Sequence, residues 1–164
     1  MSVKNRIVPC LWFDDQAEEA AKWYTSIFKN SRIVRTSYYG EEGYEVHKKK
    51  PGTVMVVSFE IDGQLYTALN DGPIFKFSEA VSLQVMCETQ DEIDYYWEKL
   101  TQGGEEGPCG WLKDKFGLSW QVVPAILDEM LTDPDVAKRE RVTAAYLKMH
   151  KFDIGLLKKA FEGN

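Results

Sequence analysis

Residues 108–124 read Pro-Cys-Gly-Trp-Leu-Lys-Asp-Lys-Phe-Gly-Leu-Ser-Trp-Gln-Val-Val-Pro, and they hold most of the side chains suited to chemistry. The pattern predicts a strand at Cys109 to Asp114, a tight turn at Lys115-Phe116-Gly117 and a return strand at Leu118 to Val123. Strand alternation then puts Trp111, Lys113, Ser119, Gln121 and Val123 on one face. An indole with an ammonium and an amide beside it suits recognition of a small planar or aromatic molecule, the indole as platform and the polar groups as anchors. Reaction chemistry would need an acid, a base or a nucleophile, and the local candidates are Lys113, Asp114 and Cys109. Lys113 and Asp114 are strand neighbours and point to opposite faces. Cys109 has lysines close in sequence but no histidine beside it to serve as base.

The elements that must position this hairpin follow from the rest of the chain. A short apolar strand at residues 7–13 leads to a helix reaching Phe28, for which Asp15-x-x-Glu18 predicts a capping box. Ala20, Trp23, Tyr24 and Ile27 form its buried stripe. A strand near Arg32 to Tyr39, a charged loop from Gly40 to Gly52 containing Lys48-Lys49-Lys50, and a hairpin turning at Asp62-Gly63 complete a strand-helix-strand-strand-strand run. The order then begins again, with a strand at Val81 to Cys87 and a helix capped by Thr89-x-x-Glu92. Its stripe Ile93, Tyr96, Trp97 and Leu100 follows the first stripe at a constant offset. Extending that offset to the strands pairs Pro9 with Ser82, Leu11 with Gln84 and Phe13 with Met86, while the two hairpins pair Thr67 with Gln121.

The expected fold is α+β: two tandem βαβββ units (residues 5–70 and 71–125) forming a curved mixed sheet around a cleft, plus C-terminal helices (126–164). Pairing of the units within one chain or between two chains is left open, and a homodimer is expected. The third segment reads as a helix beginning at Pro124, one opened by Asp133-Pro134 whose stripe is Val142, Ala145, Tyr146 and Met149, and one capped by Asp153.

Composition narrows the partners. A net charge of −6 with interspersed signs offers no basic stripe for a nucleic acid. No stretch approaches the ~18 consecutive apolar residues of a membrane span, so a cytoplasmic protein without a membrane partner is expected. Three scattered cysteines argue against a disulfide framework, and two histidines exclude a histidine-rich metal centre.

Several motifs resemble a known family: Pro9-Cys10-Leu11-Trp12-Phe13, Glu18-Glu19-Ala20, Trp23-Tyr24 before Phe28, Leu69-Asn70-Asp71-Gly72 and Cys109-Gly110-Trp111. Over about residues 5–125 they are similar to the PhnB-like branch of the glyoxalase I and extradiol dioxygenase (vicinal oxygen chelate) superfamily, whose members often carry the label 3-demethylubiquinone methyltransferase. In metal-dependent members the ligands, typically His, Glu or Gln, lie on the first and last strands of each unit. The resemblance carries those places to Pro9, Thr67, Ser82 and Gln121, where only Gln121 has a plausible donor atom, so no metal and no cofactor are expected. The glycines at 103, 104, 107 and 110 precede a hairpin, not the strand-to-helix turn that grips a nucleotide-type methyl donor.

The sequence therefore favours a metal-free protein that binds a small planar or aromatic ligand through Thr67, Ser82, Gln84, Trp111 and Gln121, with Lys113 as a further anchor. The competing reading is an enzyme on the same scaffold, an isomerase, lyase or group transferase including the inherited methyltransferase label, that uses Lys113 or Cys109. A third is a structural dimer whose cleft is filled by Leu11, Phe13 and Met86.

Overall fold

Each of the two repeated runs folds into its own four-stranded mixed sheet. The structure, a computed structural model, describes residues 6–164, in two compact units that divide between Lys76 and Phe77. The first holds β1 (Cys10–Phe13), α1 (Ala17–Ile27), β2 (Arg32–Tyr38), α2 (Tyr44–His47), β3 (Val54–Ile61) and β4 (Gln64–Asn70) in sheet order β1-β4-β3-β2. The second holds β5 (Ser82–Cys87), α3 (Gln90–Thr101), β6 (Glu105–Glu106), β7 (Trp111–Lys113) and β8 (Ser119–Pro124) in the order β5-β8-β7-β6. In both sheets the first strand runs parallel to the last and the other pairs are antiparallel. This repeated α+β topology is the one the helix stripes predict. The helices α4 (Ile126–Thr132), α5 (Val136–Tyr146) and α6 (Ile154–Glu162) follow.

Helix burial explains why the stripes recur. Ala20, Tyr24 and Ile27 are buried on α1, and Ile93, Trp97 and Leu100 on α3. Tyr24 stacks on Phe59 of β3, with ring centroids 6.2 Å apart and an interplanar angle of 18°. At its N-terminus α3 has the expected capping box between Thr89 and Glu92. The box expected for α1 does not form: Gln16 occupies the N-cap and makes no side-chain cap bond. Asn70, far away in sequence at the end of β4, supplies the cap instead, its Oδ1 accepting from the Ala17 N–H at 2.8 Å. Its Nδ2 donates to the Val54 carbonyl at 3.2 Å. The Asn70 carbonyl accepts from Tyr39 Oη at 2.5 Å, and the nearby Gly72 carbonyl accepts from Trp12 Nε1 at 2.8 Å.

The strand pairing expected from the helix offset is one residue out. Leu11 and Phe13 are 7% and 3% exposed and pair with Ala68 and Asn70, whereas Ser82, Gln84 and Met86 alternate with the buried Val85 and Cys87. By burial and register, Leu11 and Phe13 correspond to Val85 and Cys87, and Cys10 and Trp12 to Gln84 and Met86. The cause is the connection Asp14-Asp15-Gln16, one residue longer than Glu88-Thr89; a single-residue slip moves every side chain of a strand to the other face. Pro9 is therefore not the counterpart of Ser82, and Leu11 and Phe13 belong to a core and fill no cleft. Thr67 and Gln121 do hold matching places, opposite Cys10 and Gln84.

Three local expectations also change. The Gly40 to Gly52 loop contains the short helix α2, flanked by Gly43 and Lys48 in left-handed conformation. Pro124 ends β8, and the helix begins two residues later. Cys109 and Gly110 have φ of 56° and 79° and turn the chain before β7 instead of extending it. Behind that turn the C-terminal segment is docked, with Cys109 N and Gly110 N each donating at 2.7 Å, to the carbonyls of Met149 and His150. Phe152 (2% exposed) and Leu157 and Val142 (0%) are buried in it. A Cβ on Gly110 would lie 2.4 Å from the Phe152 ring and 2.7 Å from the Val122 carbonyl, so only glycine fits there.

Because Asn70 joins the start of α1 to β3 and β4, Asn70→Ala should cost about 1–2 kcal/mol, a lost cap together with a part-buried carbonyl left short of a donor. The urea midpoint followed by far-UV circular dichroism reads this; Asn70→Asp, which keeps the cap acceptor, should recover part of the loss. An unchanged midpoint for the alanine variant would deny Asn70 its role.

Candidate functional site

The open face of the second sheet is built by strict alternation. On β7 the buried Leu112 separates Trp111 from Lys113, and on β8 the buried Trp120 and Val122 separate Ser119, Gln121 and Val123. Register brings Trp111 opposite Gln121 and Lys113 opposite Ser119, while Gln84 and Ser82 lie across from the same two β8 residues on the other side. The face that the hairpin pattern predicts is thus assembled, and β5 extends it.

Four of the sequence-derived binding residues share this face. Gln121 Nε2 donates to Ser82 Oγ at 2.8 Å, and Gln84 Nε2 donates to Gln121 Oε1 at 3.4 Å. These bonds fix the Gln121 amide beside the Trp111 indole. Thr67 lies in the first unit, where its hydroxyl donates to the Pro9 carbonyl at 3.5 Å. Among the described residues, no three His, Cys, Asp or Glu side chains gather closely enough to hold a metal ion.

A cavity of about 420 Å³ opens on this side of the second unit, with Glu79, Glu105, Pro108, Trp111, Lys113 and Ser119 in its wall. Lys113 Nζ lies 2.5 Å from Glu79 Oε1. The hydrogen bond and attraction of that carboxylate raise the Lys113 pKa, with Glu105 adding to the effect. The same hydrogen bond lowers the Glu79 pKa. Both side chains are well exposed, so the pair orders the cavity wall more than it stabilises the fold. Ser119 differs from its neighbours: it is 1% exposed, and its Oγ is the one buried side-chain oxygen or nitrogen without a hydrogen-bond partner among the described residues.

The other candidates for chemistry face elsewhere. Asp114 is 3% exposed and its carboxylate is engaged, Oδ1 accepting from the backbone N–H groups of Phe116 and Leu118 at 2.8 and 3.1 Å and Oδ2 from Trp120 Nε1 at 2.8 Å. Cys109 Sγ is directed to the Tyr146 carbonyl at 3.7 Å, towards the C-terminal segment. Cys87 is buried, and desolvation, with Glu92 adding to it, pushes its thiol up to about 12. The glycines before the hairpin serve close packing: a Cβ on Gly104 would lie 2.1 Å from the Lys113 carbonyl, and one on Gly107 3.0 Å from that of Trp111. A second cavity, of about 610 Å³, lies in the first unit among Asp14, Asp15, Glu18 and the lysines 48–50. Its charges oppose one another, and its one aromatic lining residue, Tyr39, is buried and donates its hydroxyl to the Asn70 carbonyl.

Sequence reasoning missed Glu79 and left Ser119 out of the binding set. Glu79 sits in an irregular connection whose partner on β7 is distant in the chain, so no local pattern marks it. Ser119 was legible as a cavity-face residue, but only packing reveals its unsatisfied hydroxyl.

Since Glu79 is depressed by Lys113, the pair contributes fully above the unfolded carboxylate range and is lost as pH falls through the folded Glu79 value. On the alkaline side it is lost as pH rises through the raised Lys113 value. Replacing Lys113 by Met should let the Glu79 carboxyl titrate at higher pH, seen by carbon-detected NMR of the side chain. An unmoved midpoint would contradict the pairing.

Comparison with known proteins gives a consistent picture. Residues 5–123 match the 3-demethylubiquinone-9 3-methyltransferase family. The PhnB protein from Bacillus cereus is 38% identical, with a TM-score of 0.64 over 74% of this chain and 100% of its own. FosX from Listeria monocytogenes, a genomically encoded fosfomycin resistance protein solved with manganese(II) and sulfate, is 15% identical, with a TM-score of 0.53 over 79% of this chain and 97% of its own. FosX from Mesorhizobium loti is 13% identical, with a TM-score of 0.54 over 80% and 100% of the respective chains. At those identities the FosX proteins share the fold alone. No curated protein matches the chain.

Proposed function

We propose a ligand-binding role from one premise: the chain belongs to the 3-demethylubiquinone-9 3-methyltransferase family, the PhnB-like branch of the glyoxalase (vicinal oxygen chelate) superfamily. On this reading a small planar or aromatic ligand lies on the open face of the second sheet, with Trp111 as platform, Lys113 as an anchor in the cavity wall, and Gln84, Gln121 and Ser82 as polar anchors on the strands beside it. The observation that carries it is the half-buried indole of Trp111 in the cavity wall, with Gln121 opposite it in register and held by Ser82. Thr67 is the matching position of the first unit.

Two observations favour binding over catalysis. Lys113 is kept protonated by Glu79, which disqualifies its amine as a base near neutral pH. Cys109 is turned to the Tyr146 carbonyl and is absent from the cavity wall. The family's methyltransferase label gains no support from the glycines at 104, 107 and 110, whose missing Cβ atoms make room for neighbouring backbone and for Phe152. As for a metal, the corrected register places Cys10 beside Thr67 in the first unit and Gln84 beside Gln121 in the second. Neither pair fits a transition metal: Thr67 offers only a neutral hydroxyl beside Cys10, and the second unit offers two neutral amides, of which both side-chain groups of Gln121 are already engaged.

A homodimer in the cytoplasm belongs to the same proposal. Ile74 and Phe75 in the first unit and Val81 and Met86 in the second are 73%, 63%, 69% and 53% exposed, apolar side chains that a second copy would cover. All three cysteines are free, which suits a reducing compartment. Among the described residues no helix is long and apolar enough to cross a membrane.

Native mass spectrometry of the purified chain, with elemental analysis, tests the reading. A metal-free dimer carrying an organic mass is expected, and Trp111→Ala should lose that mass while remaining folded. A stoichiometric transition metal would overturn the metal-free site, and retention of the organic mass by the Trp111 variant would move the ligand elsewhere.

A further inference from the structure

Building on the binding role above, we propose that the cavity of the second unit selects a flat aromatic ligand bearing a protonated amine, and that the Ser119 hydroxyl is its buried hydrogen-bond partner. Buried polar side chains almost always find a partner, and Ser119 Oγ has none. Yet Ser119 lies on the open side of β8, in the wall of the cavity, with Lys113 across from it on β7 and Ser82 on β5. A hydroxyl in that position is satisfied when a ligand fills the cavity.

The sheet order explains how an open-face serine becomes buried. Glu79 precedes β5 and Lys113 belongs to β7, while β8, carrying Ser119, runs between those two strands. The Glu79–Lys113 ion pair therefore spans the strand beside Ser119. A ligand that reaches the hydroxyl has to displace this bridge.

Charge decides which ligand does so. Glu79, Glu105 and Glu106 sit in the cavity wall with Lys113, and Glu105 pairs in register with Lys113, so the wall holds three carboxylates and one ammonium. An incoming ammonium takes the place of Lys113 beside Glu79, exchanging one cation for another. An incoming anion must draw Lys113 away from Glu79 and then lies beside the carboxylates of the wall. The Trp111 ring favours the same sign, because the face of an indole attracts a cation. Pro108 supplies an apolar wall for the flat part of the ligand.

Isothermal titration calorimetry on the full chain at neutral pH with three probes of matched shape tests this: tryptamine as the cation, 3-methylindole as the neutral form and indole-3-acetate as the anion. Tryptamine should bind at least about tenfold more tightly than indole-3-acetate, with the gap narrowing as salt is raised. Ser119→Ala and Glu79→Gln should each weaken tryptamine by about five- to tenfold, a lost hydrogen bond to a charged group. Glu105→Gln, on an exposed edge strand, gives a charge test that leaves the core untouched. If 3-methylindole or indole-3-acetate binds as tightly as tryptamine and that binding needs Trp111, the cationic preference fails and the binding role stands. If none of the three binds, both fall. Unchanged tryptamine affinity in Ser119→Ala, with the fold intact by circular dichroism, removes Ser119 from the site.

Discussion

A single buried carboxylate holds the second sheet in the shape its open face requires. Asp114 sits at the end of β7, where the chain must reverse, and is almost fully desolvated. An isolated charge there would be heavily penalised, so its tolerance depends on the three donors aimed at it: two backbone N–H groups of the turn and the indole N–H of Trp120. Those contacts fix the turn, and the bond to Trp120 pins the first core-side residue of β8. Once Asp114 and Trp120 are on the core side, alternation leaves Lys113 and Ser119 no choice but the other side. The cavity wall is in this sense a by-product of satisfying Asp114.

Local periodicity makes part of this arrangement legible in the chain, and long-range pairing hides the rest. Helix stripes are periodic over several turns, so Ala20, Tyr24 and Ile27 and their counterparts Ile93, Trp97 and Leu100 declare the repeat. The hairpin face was legible because period-two alternation is local. A strand offset inferred from helices is different, since it inherits every insertion between the two. One extra residue before α1 was enough to put Leu11 and Phe13 in the core instead of the expected cleft. The ion pair of Glu79 with Lys113 and the lone hydroxyl of Ser119 depend on residues brought together only by the strand order, so no window of sequence contains them.

The cluster of glycines before the hairpin shows how a suggestive composition resolves into packing. Glycine density invites a phosphate or nucleotide reading, because close backbone approach is what such loops provide. Here the approaching groups are the chain's own: the Lys113 carbonyl at Gly104, the Trp111 carbonyl at Gly107, the Phe152 ring at Gly110. The last contact ties the C-terminal segment to the start of β7, so the helices after β8 help to hold the strand that carries Trp111. A substitution in that segment reaches the cavity through Gly110 without touching it.

The two units also show how duplicated architecture divides its duties. Asn70 and Pro124 occupy matching places, opposite Phe13 and Cys87. In the first unit α1 lacks a cap of its own, and Asn70 provides one across the fold while Tyr39 donates to its carbonyl. In the second, Thr89 and Glu92 cap α3 locally, which frees the end of β8 from that task, and a proline without any side-chain donor or acceptor suffices there. The polar groups of the two sheets follow suit. Those of the first are drawn into joining β1, β3 and β4 to α1, whereas Ser82, Gln84 and Gln121 bond among themselves on an open face and hold nothing in the core. Freed of the capping that Asn70 performs, the second unit's polar side chains are spent on one another.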